Sequence, residues 1–149
     1  MVKRPGSSAP READCTCLHL RKAARRVTQM YDRHLEATGL TITQYSLLGH
    51  LKAFDGITMG ALAEKLIMDP TTLTRNLRPL ERRALIVIQA DPRDRRARRL
   101  HLTPRGRAAF DEARPAWVQA QRDLTEVMGH EEAQALHVAI DRMLERLAK

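Results

Sequence analysis

Aromatic residues make up only 3% of this 149-residue chain, and it contains two cysteines. Because 43% of its residues are hydrophobic, we expect an aliphatic core of Leu, Ala, Ile, Val and Met. Cys15 and Cys17 cannot form a disulfide framework, and two residues apart they point away from each other on a helix or strand. No run of about 18 apolar residues occurs, and the basic start of the chain precedes no apolar stretch. We therefore expect a cytoplasmic protein without a membrane partner.

The chain also lacks the usual signatures of catalysis. No nucleophile with an adjacent base, no phosphate-binding glycine loop and no full set of metal ligands is recognisable. We therefore predict a protein that is not an enzyme and has neither a cofactor nor a metal. One alternative stays open, since Cys15, Cys17 and His19 could contribute to a metal site if a second ligand cluster were present.

Positive charge is concentrated in one quarter of the chain. Residues 71–107 contain eleven arginines, no lysine and three acidic residues, which accounts for the whole formal net charge of +8. The rest of the chain balances, with 15 basic and 15 acidic residues. Guanidinium groups at this density indicate binding to a polyanion, and their arrangement favours double-stranded DNA.

Apolar periodicity divides the chain into three blocks after a tail, residues 1–13, that we expect to be disordered. Residues 14–40 read as one long amphipathic helix, which Gly39 should end. Residues 41–103 form a compact mixed block whose first helix Thr43 could cap. Residues 104–149 are again helical, with Thr103 and Pro104 at the start, a bend at Pro115 and a break at Gly129. Their apolar seam predicts packing against another helix.

Two short helices in the middle block predict a helix-turn-helix. The first has an apolar face formed by Met59, Leu62, Ala63, Leu66 and Ile67, and the break at residues 68–70 precedes a second helix that begins near Thr71. On this second helix, Leu73, Leu77 and Leu80 share one face. The opposite face carries Thr71, Arg75, Arg78 and Arg82, with Thr74 at its side. Arginine can bind guanine bidentately and threonine can contact a phosphate or a thymine methyl, as a helix in the major groove requires. A merely solvated charged face is the alternative.

A β-hairpin is predicted between the strand-like runs at residues 86–88 and 99–102. Its tip carries four arginines, Arg93, Arg95, Arg96 and Arg98. A projecting hairpin of this kind can place one arginine in the minor groove while its neighbours contact phosphates. Asp91 and Asp94 would hold the guanidinium groups by charge-assisted hydrogen bonds and help the chain turn.

These features resemble the winged helix-turn-helix of the multiple antibiotic resistance regulator (MarR) family. The resemblance rests on the run ITMGALAEKLIMDPTTLTRNLRPLERRALI and on a wing signature, D-x-R-D-x-R followed by L-T-x-x-G, which is matched from Asp91 to Gly106. It implies a mainly α-helical fold with a small β-hairpin wing. It also implies an obligate homodimer that is joined through residues 14–40 and 104–149 and binds a pseudo-palindromic operator through residues 41–103. Such a protein usually represses transcription until a small molecule or an oxidant releases it. By position, Arg96 would enter the minor groove with Asp94 as its partner, and the groove-facing residues would be Thr71, Thr72, Thr74, Arg75 and Arg78.

Two positions depart from the family pattern. Ala84 stands where the family commonly has glycine after the recognition helix, so a left-handed cap there would be strained, or the turn would differ. Pro79 removes one backbone donor and should tilt or shorten the end of that helix.

The signal that the protein senses is less evident from the sequence. Cys17 matches the reactive thiol of the peroxide-sensing branch, and Tyr31 matches one of the two tyrosines that hydrogen-bond to it, whereas Ile42 replaces the second. We favour the interpretation that Cys17 is a small buried or capping hydrophobic residue, and redox sensing is the alternative. Most of the family instead binds an aromatic small molecule in a crevice, whose lining on resemblance alone would include Leu20, Ala24, Tyr31, Tyr45, His50 and Phe110.

Two further hypotheses come from other classes of protein. A packaging protein that binds nucleic acid without sequence preference would also be rich in arginine, although its charge should be more dispersed. A winged helix that binds another protein would not need the phosphate-contacting arginines at all.

Overall fold

The computed structural model describes residues 11–148, so residues 1–10 of the predicted tail lie outside the described region. A 3-10 turn at Glu12–Asp14 opens it. The elements that follow in chain order are α1 (Thr16–Leu35), α2 (Ile42–Ala53), β1 (Ile57–Thr58), α3 (Met59–Lys65), α4 (Pro70–Arg82), β2 (Ile86–Ala90), β3 (Arg98–Leu102), α5 (Pro104–Met128) and α6 (His130–Leu147). The prediction of a mainly helical winged fold is confirmed.

The connection from α1 to α2 explains where both helices stop and start. A 3-10 turn extends α1 to Thr38, and Gly39 ends it with a φ of 69°, in the left-handed region that glycine adopts without a steric cost. Thr41 caps α2 and forms a capping box with Gln44, in which each side chain bonds the backbone N–H of the other. The prediction that Thr43 is the cap was therefore wrong, since Thr43 lies inside the helix.

The helix-turn-helix contains α3 and α4, capped by Thr58 and Asp69. Ile67, which we expected on the buried face of the first helix, is 75% exposed and lies in the turn with a φ of 50°. That prediction was wrong because α3 ends at Lys65 and the turn changes the direction of the chain. Pro79 does not shorten α4, which continues to Arg82.

The three strands form an antiparallel sheet in the order β1-β3-β2. Strands β2 and β3 form the predicted hairpin, with Ile86 opposite Leu102 and Ala90 opposite Arg98. The two-residue strand β1, which the sequence analysis missed, pairs with β3. Between α4 and β2, Ala84 adopts a φ of 55°, so this chain keeps the left-handed turn without glycine.

The core is built mainly from leucine. Leucines of α1, α2, α3, α4 and β3 are fully buried in one cluster, with Ile86 of β2 and Ala113 of α5. Burying one such aliphatic side chain stabilises the fold by about 1.5 to 3 kcal/mol, so this cluster fixes how α4 and the sheet sit against each other.

Two polar contacts join α1 to α5. The Tyr31 hydroxyl donates to Oε1 of Gln121, and Nε2 of His34 lies 2.8 Å from Oδ2 of Asp123. The helix α5 runs through Pro115 to Met128 without ending, and Gly129 separates it from α6.

The outer helices bury little of their apolar surface in the described chain. Ala133 is the buried residue of the 18-residue helix α6, and the 20-residue helix α1 buries Tyr31 and Leu35. Large apolar side chains remain exposed on α1, on the end of α5 and on α6: Leu18, Val127, Leu136, Val138, Leu144 and Leu147. The described chain therefore leaves these apolar faces uncovered. Among residues 11–148 no helix has the length and apolar composition to cross a bilayer.

Candidate nucleic-acid interface

Helix α4 presents a polar face on a rigid apolar base. Leu73, Leu77 and Leu80 are fully buried, whereas Arg75 and Arg78 on the opposite side are exposed. A cleft of about 360 Å³ runs along this face, lined by Pro70, Thr71, Thr74, Arg75 and Arg78. The three buried leucines prevent the helix from rotating, so the arginines stay on the surface.

The start of α4 is fixed by its capping residue. The backbone N–H of Thr72 donates to Oδ1 of Asp69 at 2.9 Å, and hydrogen bonds from Thr72 hold the pKa of Asp69 below its ordinary value. Thr74 is half-buried and its hydroxyl donates to the carbonyl of Pro70, so its oxygen remains available as an acceptor. Of the predicted threonines, Thr71 is exposed, while Thr72 and Thr74 are half-buried.

The hairpin tip between β2 and β3 is folded by its two aspartates. One oxygen of Asp91 accepts the backbone N–H of Arg93 at 2.8 Å, and one oxygen of Asp94 accepts the backbone N–H of Arg96 at 2.9 Å. The Asp94 carboxylate thus fixes the backbone at Arg96. The expectation that it holds the guanidinium group directly is not met, because the short Asx turn brings it to the backbone instead.

The arginines of the tip remain available for a ligand. Arg93, Arg95, Arg96 and Arg98 are all exposed. Within residues 11–148, Arg99 alone among the eleven arginines of residues 71–107 forms an ion pair with an acidic side chain. Guanidinium groups without acidic partners on α4 and on the hairpin give two separate basic elements on one core.

Two arginines that the sequence analysis did not single out have structural contacts. Arg83 donates to the carbonyl of Gly39 at 2.8 Å and so joins the end of α4 to the α1–α2 connection. Arg99 bonds to Asp91 and to the carbonyl of Gly56. No sequence signal marks the two carbonyl contacts, because these partners are backbone atoms distant in the chain. The bond from Arg99 to Asp91 meets the expectation that Asp91 holds a guanidinium group.

Three of the six predicted effector residues come together. Tyr45, His50 and Phe110 line a cleft of about 480 Å³ between α2 and α5, and the lining that sequence reasoning missed comprises Ile42, Ser46, Gly49, Ala53, Phe54, Arg114 and Trp117. The ring of Tyr45 stacks on Phe110 at 4.6 Å and on Trp117 at 5.8 Å between centroids. Burial raises the pKa of Tyr45, so its hydroxyl stays protonated at neutral pH.

The other three predicted effector residues do not line this cleft in the described chain. Ala24 is exposed and Leu20 is half-buried on α1, and the hydroxyl of Tyr31 is occupied by Gln121. Cys15 and Cys17 are both exposed thiols, which does not match the expectation of a small buried residue at Cys17. No three His, Cys, Asp or Glu side chains of residues 11–148 are grouped so that they could hold a metal ion.

Comparisons with known proteins agree with this geometry. The model of the MarR family matches residues 38–97. A putative transcriptional regulatory protein for the hcr operon of Thauera aromatica is 29% identical over 108 residues, covering 72% of this chain and 65% of that protein. The transcriptional activatory protein BadR of Rhodopseudomonas palustris is 34% identical over 82 residues, covering 53% and 47%. The matches thus span less than two thirds of these curated relatives.

The solved structures match over more of their length. The transcriptional regulator MosR of M. tuberculosis has a TM-score of 0.78 and 34% identity, with 91% of this chain and 96% of that chain covered. The same regulator solved with DNA has a TM-score of 0.72 and 36% identity, with coverages of 87% and 98%.

Proposed function

The chain belongs to the MarR family of transcriptional regulators, and on that premise we propose that it is a homodimer that binds a pseudo-palindromic site in double-stranded DNA. Helix α4 enters the major groove, and the hairpin tip, which we call the wing (residues 91–97), reaches the adjacent minor groove and its phosphates. Residues 41–103 form the DNA-binding part, and residues 14–40 and 104–149 join the two protomers.

One observation carries this proposal. Helix α4 and the wing both project exposed arginines that have no acidic partner in the described chain, and both are attached to the same core. A solvated surface would pair many of its cations with acidic neighbours, whereas these guanidinium groups have none within residues 11–148 apart from Arg99. Arg75 and Arg78 stand on a helix face with exposed threonine, the combination that base reading requires. MosR, which this chain resembles over most of its length, has been solved in complex with DNA, and this supports DNA as the ligand.

Dimerisation is supported by the apolar side chains left exposed on the outer helices. Leu136, Val138 and Leu144 on α6 are each at least 39% exposed, and α6 contacts little besides α5. A second copy of the chain would cover these faces and would place two recognition helices about one turn of DNA apart. Gel filtration with light scattering at micromolar concentration should give a dimer, and a monomer would contradict this part of the proposal.

DNA binding is tested with duplexes that the wild-type protein selects from a randomised library. Arg75→Ala should weaken binding to the selected duplex by about 1 to 3 kcal/mol and relax its specificity, since a base-reading contact is lost. Arg96→Ala should weaken binding as well. Arg11→Ala is the control of equal charge, since Arg11 is exposed and lies outside both the proposed DNA-binding part and the dimerisation segments.

Three outcomes count against the proposal. Unchanged affinity in both variants would contradict the assignment of α4 and the wing. Failure of the library to yield any common sequence, together with equal binding to random competitor DNA, would favour a packaging protein. Absence of a steep salt dependence would favour a protein-binding winged helix.

We further propose an aromatic small molecule as the effector, bound in the cleft between α2 and α5. Its aromatic wall and the guanidinium of Arg114 suit a phenolic ligand that carries an anionic group. Trp117 is the single tryptophan of the chain and lines this cleft, so its fluorescence reports on ligand binding directly. Phenolic acids should change this fluorescence and release DNA, and Ser46→Phe should abolish both effects by filling the cleft.

A dimer seated on its operator blocks access to the promoter, so we propose repression that the effector relieves. In vitro transcription from a promoter containing the selected site should fall when protein is added. A rise would indicate an activator, as BadR is named. Release by peroxide that depends on Cys17, in place of release by phenolic acids, would favour thiol-based sensing.

A further inference from the structure

Arg99 connects three parts of the winged sheet through one side chain. It lies on β3, opposite Gln89 of β2 and opposite Thr58 of β1. Its Nε donates to Oδ2 of Asp91 at 2.7 Å, and its Nη1 donates to the carbonyl of Gly56 at 2.7 Å. One planar guanidinium therefore links the turn before β1 to the first residue of the wing.

Asp91, the partner of Arg99, is also hydrogen-bonded to the backbone of the wing. It is the buried charged residue of the described chain, with 6% of its surface exposed. Its other oxygen accepts the N–H of Arg93, and its own N–H donates to the carbonyl of Ala97 at 3.0 Å, which closes the hairpin. The backbone N–H of Arg93 contributes most to lowering the pKa of Asp91, and the hydrogen bond from Arg99 lowers it further. The carboxylate therefore stays ionised.

The turn before β1 is a firm attachment point. Gly56 has a φ of 74°, and its N–H donates to the carbonyl of Leu100 at 3.0 Å. A second contact fixes the same turn, since Nδ1 of His101 lies 3.3 Å from Oδ1 of Asp55. Arg99 thus joins the wing to the turn at Asp55 and Gly56, which is itself held to β3 by contacts with Leu100 and His101.

We propose that Arg99 is a positioning residue for DNA binding, which holds the wing in its binding orientation without touching the DNA. Arg93, Arg95 and Arg96 are exposed and make no side-chain ion pair within the described chain, so the tip has few contacts of its own. Fixing the backbone of each mobile residue costs about 1 to 2 kcal/mol, and a wing ordered before binding avoids part of that loss. This inference rests on the proposed function.

The fork of the guanidinium explains why the residue is arginine. Lysine has one ammonium group and can pair with Asp91, but it cannot present two donors in fixed directions to a carboxylate and to a carbonyl. Leucine would keep the bulk against the sheet and remove both bonds. Arg99→Lys therefore keeps the charge and removes the bidentate geometry, whereas Arg99→Leu removes both.

The test measures affinity for the duplex that the wild-type protein selects from the randomised library. We expect Arg99→Leu to bind about tenfold more weakly and Arg99→Lys to lie between it and the wild type. Arg11→Leu, which removes the same charge from an exposed position outside residues 14–149, should bind like the wild type. Amide hydrogen exchange at residues 93–97 should become faster in Arg99→Leu, while exchange in α4 stays unchanged.

A double-mutant cycle with Arg96→Ala separates positioning from direct contact. If Arg99 acts only by placing the wing, Arg99→Leu should cost less affinity in the Arg96→Ala background than in the wild type, because one of the contacts that it positions is already gone. Fully additive losses would overturn the proposal and make Arg99 an independent DNA contact. The proposal would also be overturned if Arg99→Leu bound the selected duplex as tightly as the wild type does. If the wild-type protein itself selected no duplex, the proposed function would fail instead. If Arg99→Leu fails to fold, Arg99→Lys and hydrogen exchange decide the question.

Discussion

Gly106 explains why a glycine ends the L-T-x-x-G signature, and Gly106→Ala is the sharpest test of the packing. Gly106 is buried in the first turn of α5. A Cβ built there would lie 1.9 Å from the carbonyl oxygen of Leu85 and 2.8 Å from Cδ1 of Leu102, whereas ordinary contact begins near 3.4 Å. Removing this overlap requires α5 and the backbone of Leu85 to separate by about 1.5 Å.

The separation has a definite energetic cost. The carbonyl of Leu85 accepts hydrogen bonds from the backbone N–H and the hydroxyl of Thr103, at 3.1 and 3.0 Å, and both would be lost or stretched. Each is worth about 1 kcal/mol, and strain from overpacking adds about 1 to 3 kcal/mol. The higher helix propensity of alanine offsets about 1 kcal/mol of this loss in stability. We therefore expect Gly106→Ala to lower the free energy of unfolding by about 2 to 4 kcal/mol.

The assay is urea unfolding followed by circular dichroism, at one fixed protomer concentration because a dimer's stability depends on concentration. Gly60→Ala is the matched control, since Gly60 is exposed in α3 and a Cβ there meets nothing within 4 Å. It should raise stability by about 0.5 to 1 kcal/mol. The reasoning would be refuted if Gly106→Ala lost less than about 1 kcal/mol or changed stability in the same direction as the control.

Three further predictions concern individual turns and contacts. Ala84→Gly should stabilise the protein by about 1 kcal/mol in the same urea assay, because Ala84 is exposed and held at a φ of 55°. Asp69→Ala should lose about 1 kcal/mol, the usual value of an N-cap, and weaken DNA binding, whereas Asp69→Asn should retain most of both. The carbonyl of Met30 and the carboxylate of Asp123 raise the pKa of His34 above 6.5. Protonated His34 therefore adds its full stabilisation of the folded state below pH 6.5, and this stabilisation is lost as the pH rises through the folded-state pKa. His34→Gln should therefore be less stable than wild type at about pH 5.5, and the two should converge at about pH 8.5; an equal difference at both would contradict the assignment.

The sequence alone was sufficient for the elements that carry local signals. The arginine and threonine face of α4 follows from a 3.6-residue period, the stop after α1 follows from Gly39, and the hairpin follows from alternating residues around an Asp-Pro turn. The site residues on α4 and the wing could be named because their neighbours along the chain define the exposed face. Thr43 was wrongly predicted as a cap and Ile67 was wrongly placed on a buried helix face, because the position of a cap or turn depends on where the core ends a helix.

Only the tertiary structure decided which distant residues meet. Arg99 reaches Asp91 and Gly56 because β1 and β2 pair on either side of β3, an arrangement that no local pattern of charge or hydrophobicity records. The cleft between α2 and α5 likewise required these helices to pack, which placed Trp117 and Arg114 beside Tyr45. Periodicity along a chain reports the burial of one face of one element, so the sequence determined the winged helix and its basic surface. Contacts between elements depend on the summed packing of the core, and therefore the anchoring of the wing and the shape of the cleft appeared only with the fold.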